Sequence, residues 1–305
     1  MSDAAPVTAS PSEEERRTGF LVAASAYVMW GFMPLYLKLL SAFDVREVLS
    51  QRILWAAPSA LVAVFLIGGW KLGWRDIASA LKLRMLMTLT ASALFIFMNW
   101  GIYVYLVLNA RVIESSLAYF LAPLVSVAVG VLFFSEKVSR AQIIALTFAL
   151  IGVVVQGFAL GAPPWMALAL CATWSAYAII RKRAPVPAAV GLLIESLALA
   201  PVAIGLLLWA STEAPLGFGS GIAATSLLVM AGPVTAIPLV AFAFGARRVS
   251  FTTLGLLQFL APTLQFATGI AYGEPFTLLR GVSFMLIWLG LVFFSWDTLR
   301  RAKAP

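Results

Sequence analysis

The sequence contains no histidine and one cysteine, Cys171, in 305 residues. The first absence removes the commonest metal ligand and the side chain that most often acts as a general base near neutral pH. It also rules out a Ser–His or Cys–His nucleophile pair. A lone cysteine excludes a disulfide framework and a thiolate metal cluster. Charge is scarce as well: Asp, Glu, Lys and Arg make up 11% of the chain, against about a quarter of a soluble domain. The four aspartates, Asp3, Asp44, Asp76 and Asp297, fall outside the apolar runs or at their ends, so no pair of intramembrane catalytic aspartates exists. No GxxxxGK[ST] phosphate loop occurs, which excludes ATP as the direct energy source. No catalytic residue, metal site or cofactor is expected.

What fills the chain is hydrocarbon. Hydrophobic residues make up 62% of it, so most of the surface must face lipid. Apolar stretches of about twenty residues, enough to cross a bilayer, recur at 19–40, 46–68, 85–107, 114–134, 141–160, 164–181, 188–209, 222–245, 251–272 and 278–297. These are spans one to ten of an all-α integral membrane protein. Residues 1–18 are polar and Pro/Ser-rich, which predicts a disordered tail. They lack the charged-then-apolar order of a cleaved signal, so span one is expected to be retained. Residues 298–305 form a second short tail.

The net charge of +8 does not point to nucleic acid, because the basic residues form no patch interleaved with aromatics. They sit between spans instead. With both termini inside, sixteen lysines and arginines fall on the cytoplasmic side and three (Arg46, Arg111 and Arg280) on the other, leaving Lys38 and Arg52 within spans. That bias follows the positive-inside rule and predicts that both termini are cytoplasmic.

One unusual phrase is written twice. "YFLAPLVSVAVGVLFFSEK" (119–137) and "QFLAPTLQFATGIAYGEP" (258–275) share an aromatic-Leu-Ala-Pro core, an apolar run and a closing glutamate, Glu136 or Glu274. Gly152 matches Gly290, Trp30 matches Trp174, and Ala57-Pro58 matches Ala200-Pro201. The chain therefore reads as two homologous units of five spans, 19–160 and 164–297. Five is odd, so the second unit enters the membrane upside down. Inverted repeats of this kind are a recurring design of secondary transporters, with the substrate near the midplane between them. Pro123 and Pro262 sit inside spans four and nine, where proline frees the carbonyl four residues earlier, here those of Tyr119 and Gln258. Pro34, Pro58, Pro201, Pro233 and Pro238 are expected to add further breaks.

The segments "MWGFMPLYLK" (29–38), "NWGIYVYLVLNARVIESSLAYFLAPL" (99–124), "GLLIES" (191–196) and "TLGLLQFLAPTLQFATGIAYGEP" (253–275) closely resemble RarD-type members of the EamA-like transporters, in the drug/metabolite transporter superfamily. The resemblance covers nearly the whole chain beyond the tail. It implies ten helices, inner-membrane residence and export of small metabolites or drugs. Some members carry a chloramphenicol-sensitivity label and similar relatives export amino acids, so the resemblance does not fix a substrate.

Charges inside spans are costly unless paired or hydrated, and Arg52 and Glu195 are the two that lie well inside. They are repeat equivalents, about 12 Å apart in depth at the helical rise per residue. A structural ion pair or separate polar contacts are the expected arrangement, with substrate recognition or proton coupling as the alternative. Trp70, Trp74, Trp165, Trp209 and Trp296 fall at span ends as an interfacial belt. Trp30, Asn99, Trp100, Tyr103, Tyr119, Trp174, Tyr177 and Gln258 lie deeper. Rings with a few amides suit a cavity for a small amphipathic solute, and these eight are the expected substrate-binding set. The reading is an exporter of small amphipathic metabolites (amino acids, drugs or toxic analogues) working by alternating access. Its partners are the solute and the lipid bilayer. An intramembrane enzyme, a lipid or precursor flippase of the same fold, and a channel are the rivals. A channel would favour a ring of like charges, which the sequence lacks. Proton exchange and facilitated diffusion both fit this sequence, as do a monomer and a homodimer.

Overall fold

The computed structural model describes residues 12–134, 139–182, 184–249 and 251–302. Glu136 lies outside the described residues. Span one consists of α1 (Glu13–Gly31) and α2 (Met33–Leu39), and spans two to eight are α3 (Val45–Ala80), α4 (Leu83–Leu108), α5 (Val112–Phe134), α6 (Arg140–Leu160), α7 (Trp165–Lys182), α8 (Ala188–Glu213) and α9 (Ile222–Ala246). Span nine is α10 (Phe251–Leu257) with α11 (Leu260–Ala271), and span ten is α12 (Leu278–Ala302). No strand occurs among the described residues. Eight spans are long and apolar enough to cross a bilayer, and the apolar helices Val112–Val125 and Trp165–Arg181 supply the other two. Leu66, Phe158, Ile222 and Leu278 are fully outward and exposed. In lipid that is an ordinary surface, because a helix satisfies most of its backbone groups internally.

Helix ends follow local chemistry. Ser12 and Glu15 close a capping box and Glu13, Glu14 and Glu15 fill the first turn, all favourable at the positive end of the helix dipole. The helix therefore starts at Glu13, inside the stretch expected to be a disordered tail, because those acids serve as an N-terminus. Ser139 and Gln142 repeat the capping box on α6, which stops at Gly161 in the left-handed region with φ 70°. Span two also departs from expectation. Gly69 takes φ 67° and ψ 173°, the helix bends there, and residues 70–80 continue as helix where a loop was expected. In that extension Gly73, Ile77 and Ala80 are buried while Trp70 and Trp74 face outward.

The prolines divide. Span one breaks at Phe32, with Pro34 in the first turn of α2, where its missing N–H costs nothing. Span nine breaks at Gln258 and Phe259, which places Pro262 in the first turn of α11. Pro58, Pro123, Pro201, Pro233 and Pro238 lie inside helices that continue through them. The expected breaks thus occur at two of the seven positions, and the paired prolines of spans four and nine behave differently.

The halves pack on one another with two-fold regularity. Three large interfaces each join a span to its own repeat equivalent: α3 with α8, α6 with α12, and α5 with α11. Six further interfaces form three related couples: α1 on α9 matches α4 on α7, α1 on α11 matches α5 on α7, and α3 on α9 matches α4 on α8. Gly152 and Gly290 show why the pattern repeats. A Cβ at Gly152 would meet the side chain of Ile287 and the Ser283 carbonyl, and one at Gly290 would meet the Ala145 carbonyl and Phe148. The Ser283 hydroxyl donates to the Gly152 carbonyl at 2.8 Å. Small residues let the two backbones approach, the usual basis of helix association in lipid.

The closing glutamate of the doubled phrase also finds a role. Glu274, buried after α11, accepts the backbone N–H groups of Val112 at 2.7 Å and Ile113 at 2.9 Å. Those are unpaired donors at the start of α5, so the carboxylate caps a helix of the other half. Buried Glu47 does similar work at the same end of the bundle, accepting from Gly217 and Phe218 in the link before α9.

Candidate functional site

Arg52 enters the bundle from α3 and is buried. Its Nε donates to the Thr235 hydroxyl of α9 at 3.0 Å, and that hydroxyl donates on to the Ala231 carbonyl. The guanidinium carbon lies 4.5 Å from the centre of the Trp100 ring of α4, a cation–π contact. Tyr103, three residues on from Trp100 along α4, is buried too and meets Tyr119 of α5 at 5.9 Å between ring centroids. Among the described residues no carboxylate pairs with Arg52, and its Nη1 and the Tyr103 hydroxyl are both buried without a hydrogen-bond partner. Each such orphan costs about 1–3 kcal/mol, so the group is held at a loss.

Glu195 does not answer Arg52. Its carboxylate, buried on α8, accepts from Ser92 of α4 at 2.5 Å and from Tyr177 of α7 at 3.3 Å, and pairs with Arg181 at 3.5 Å. Of the two structural arrangements expected, separate polar contacts rather than an Arg52–Glu195 pair occur among the described residues. Each charge finds its partners on other helices: α9 and α4 for Arg52, and α4 and α7 for Glu195. Arg181, expected among the loop cations, turns back along α7 to reach the acid. Gly191 makes this possible, since a Cβ there would collide with the Arg181 guanidinium. The glycine and glutamate of "GLLIES" thus belong to one arrangement.

Between the two charges runs a chain of rings. Tyr103 meets Tyr119 at 5.9 Å between centroids, Tyr119 meets Trp174 at 6.2 Å, and Trp174 meets Tyr177 at 5.8 Å. Spans three, four and six contribute, so the chain crosses from one half to the other. It leads from Arg52 to Glu195, which Tyr177 touches. Five of the eight expected residues, Trp100, Tyr103, Tyr119, Trp174 and Tyr177, come together here.

Three do not. Trp30 packs with Tyr27 and Phe242 in a separate aromatic group at 5.5 and 5.7 Å. Asn99 is buried, but its amide donates to the Leu170 carbonyl at 2.9 Å and to Thr173 at 3.3 Å, which fastens α4 to α7. Gln258 donates to the Gly255 carbonyl of its own helix, at the break before α11. An amide in a span can satisfy itself on backbone as readily as on a solute, and sequence does not distinguish the two.

Sequence reading missed Thr235, Ser92 and Arg181. Arg181 ends span six and could have been counted inside it, whereas a hydroxyl on an apolar helix gives no comparable signal. Two grooves of about 580 and 810 Å³ lie elsewhere, one beside Phe20 and Leu256 and one beside Lys82 and Arg84, and none of the eight residues lines either. The rings are instead packed against one another.

Comparison with known proteins agrees with this architecture. The EamA-like transporter family model matches residues 17–157. An uncharacterized transporter of Bacillus subtilis, YojE, is 35% identical, covering 95% of this chain and 97% of its own. The RarD protein of Streptomyces exfoliatus is 38% identical over 96% and 92% of the two chains, and that of Escherichia coli 34% over 94% and 96%. A solved crystal structure 19% identical, covering 91% of this chain and 97% of its own, superposes with a TM-score of 0.60 and shows a shared fold. A ten-span bundle of paired halves, with full-length relatives of this similarity, makes the chain a member of the EamA-like transporter family, alongside its RarD proteins.

Proposed function

We propose that the protein exports small amphipathic metabolites, such as amino acids or their toxic analogues, across the bacterial inner membrane. The site is the ring chain between Arg52 and Glu195, and the termini lie in the cytoplasm. The observation that carries this reading is the placement of the chain across the interface of the halves. Trp100, Tyr103 and Tyr119 come from one half, and Trp174 and Tyr177 from the other. Aromatic faces hold the apolar part of a solute, while Arg52 and Glu195 offer charge at either end.

The rings pack edge to edge at the interface of the halves, so a solute settles among them as the halves move apart. Rocking one half against the other opens the chain first to one side and then to the other, as alternating access requires. The equivalent interfaces of the two halves are suited to this, because a motion that loosens one end has a symmetry-related counterpart at the other.

The test is transport by the purified protein in liposomes, using a panel of labelled amino acids with and without a pH gradient. Saturable uptake of at least one solute, reduced at least tenfold in folded Trp174→Ala and Tyr103→Ala proteins, is the expected result. Uptake that responds to the gradient would assign proton coupling. Movement of a labelled phospholipid between leaflets without solute uptake would favour a flippase, and no transport of any kind would sink the reading.

A further inference from the structure

We infer that the solute carries an anionic group of carboxylate size, and that Arg52 and Tyr103 receive it. The inference rests on the transport reading above and adds the substrate class. Arg52 is 7% exposed and Tyr103 is 4% exposed, yet the Nη1 of one and the hydroxyl of the other have no partner among the described residues. A guanidinium has five N–H groups and accepts nothing, while a phenol hydroxyl can donate as well as accept. An acceptor placed against the two would satisfy both.

Charge makes the same point. The salt bridges among the described residues occupy Arg46, Arg75, Arg111 and Arg181, and Arg52 is in none of them. The nearest intramembrane acid by sequence equivalence, Glu195, is engaged by Ser92, Tyr177 and Arg181. A buried cation without a counter-ion is poorly tolerated, and an incoming acid neutralises it where a neutral or cationic solute does not. Geometry agrees, since Nε and the Trp100 face fix the guanidinium from two directions and leave the Nη side to meet a carboxylate. The Tyr103–Tyr119–Trp174 rings begin beside it and supply an apolar wall for the rest of the solute.

The test uses the full-length protein in detergent with matched acids and amides: 3-phenylpropionate and its amide, phenylalanine and its amide, and 4-methylpentanoate and its amide. Thermal midpoint and intrinsic tryptophan fluorescence report binding to the wild type and to Arg52→Gln, Arg52→Lys and Tyr103→Phe. The expected result is that an acid raises the midpoint while its amide does not. The shift disappears in Arg52→Gln, is weakened in Arg52→Lys by the lost fork geometry, and needs about tenfold more ligand in Tyr103→Phe. Without ligand, Arg52→Gln should unfold no earlier than the wild type, because the charge it removes has no acid to strand. Tyr103→Phe removes a single oxygen and keeps the test alive if Arg52→Gln does not fold. Equal shifts from acids and amides, an acid shift that survives Arg52→Gln, or no shift from any acid would each overturn the inference. If neutral or cationic solutes are nonetheless carried by the liposomes, the transport reading stands and the anion site alone has failed.

Discussion

Glu195 is held by Ser92, Tyr177 and Arg181, and Arg52 by Thr235 and Trp100, with no partner shared between them. Stability should therefore couple within one group and not between the two. In double-mutant cycles followed by unfolding in detergent, Arg52→Gln and Glu195→Gln should add to within about 0.5 kcal/mol. Arg181→Gln and Glu195→Gln should depart from additivity by more, since either change alone strands a buried charge. Gly191→Ala should mimic Arg181→Gln by pushing the guanidinium away. Equal coupling in both cycles would restore the ion pair between the halves. Asp44 gives a pH-dependent case at the rim. It caps α3, and hydrogen bonds from the Arg46 guanidinium hold its carboxyl below the usual carboxylate range. A depressed acid adds stability at neutral pH that fades as pH falls below about 4 and is lost on passing through the folded-state value. Asp44→Asn keeps a capping oxygen and loses the charge, so it should melt earlier than the wild type at neutral pH and converge with it in acid. A gap independent of pH would show that the charge contributes nothing.

Between elements, the most symmetric interface is α6 against α12. Gly152 and Gly290 present the same surface from opposite partners, each against the other helix's backbone carbonyl. Gly152→Leu or Gly290→Leu should each cost about 1–3 kcal/mol through overpacking, with similar values because the two environments are equivalent. Gly205, whose added Cβ meets nothing within 4 Å, is the control and should tolerate Ala. Very unequal costs at 152 and 290 would mean the repeat is not reflected in the energetics. Asymmetry does exist elsewhere. Span four runs unbroken through Pro123, whereas span nine breaks before Pro262. Identical motifs thus have different local outcomes, because the helices around each proline decide whether its freed carbonyl is accommodated by a kink or by a break.

For the whole molecule, orientation is the accessible question. Cys171 is buried, so a single introduced cysteine dominates labelling. Arg75→Cys, in the exposed stretch after Gly69, should react with an impermeant maleimide only when the cytoplasmic face is opened. Ser220→Cys, in the exposed link between α8 and α9, should react in intact cells. The reverse pattern would invert the topology, and labelling of both from one side would contradict a ten-span bundle. Several stability changes described above also bear on transport. Ties at one end of the bundle, such as Glu47 to Gly217 and Glu274 to Val112, must loosen if that end opens.

The number of spans and the lipid-facing composition were legible in the amino-acid sequence, and its repeated phrases suggested two related halves. Hydropathy and repeat spacing are properties of order along the chain, and a bilayer converts them into helices with little freedom. The deeper aromatics of spans three, four and six were legible too, since each must face protein or a solute. Which of them meet was decided only in three dimensions. Trp30 and Trp174 are equivalent in sequence, yet one joins Tyr27 and Phe242 while the other joins Tyr119 and Tyr177. Partners of the buried charges were likewise invisible, because Arg181 reaches Glu195 through space vacated by a glycine ten positions away. Sequence spacing sets the depth of a side chain in the membrane. Helix rotation and close packing then determine its neighbours, and both depend on contacts distant in the chain.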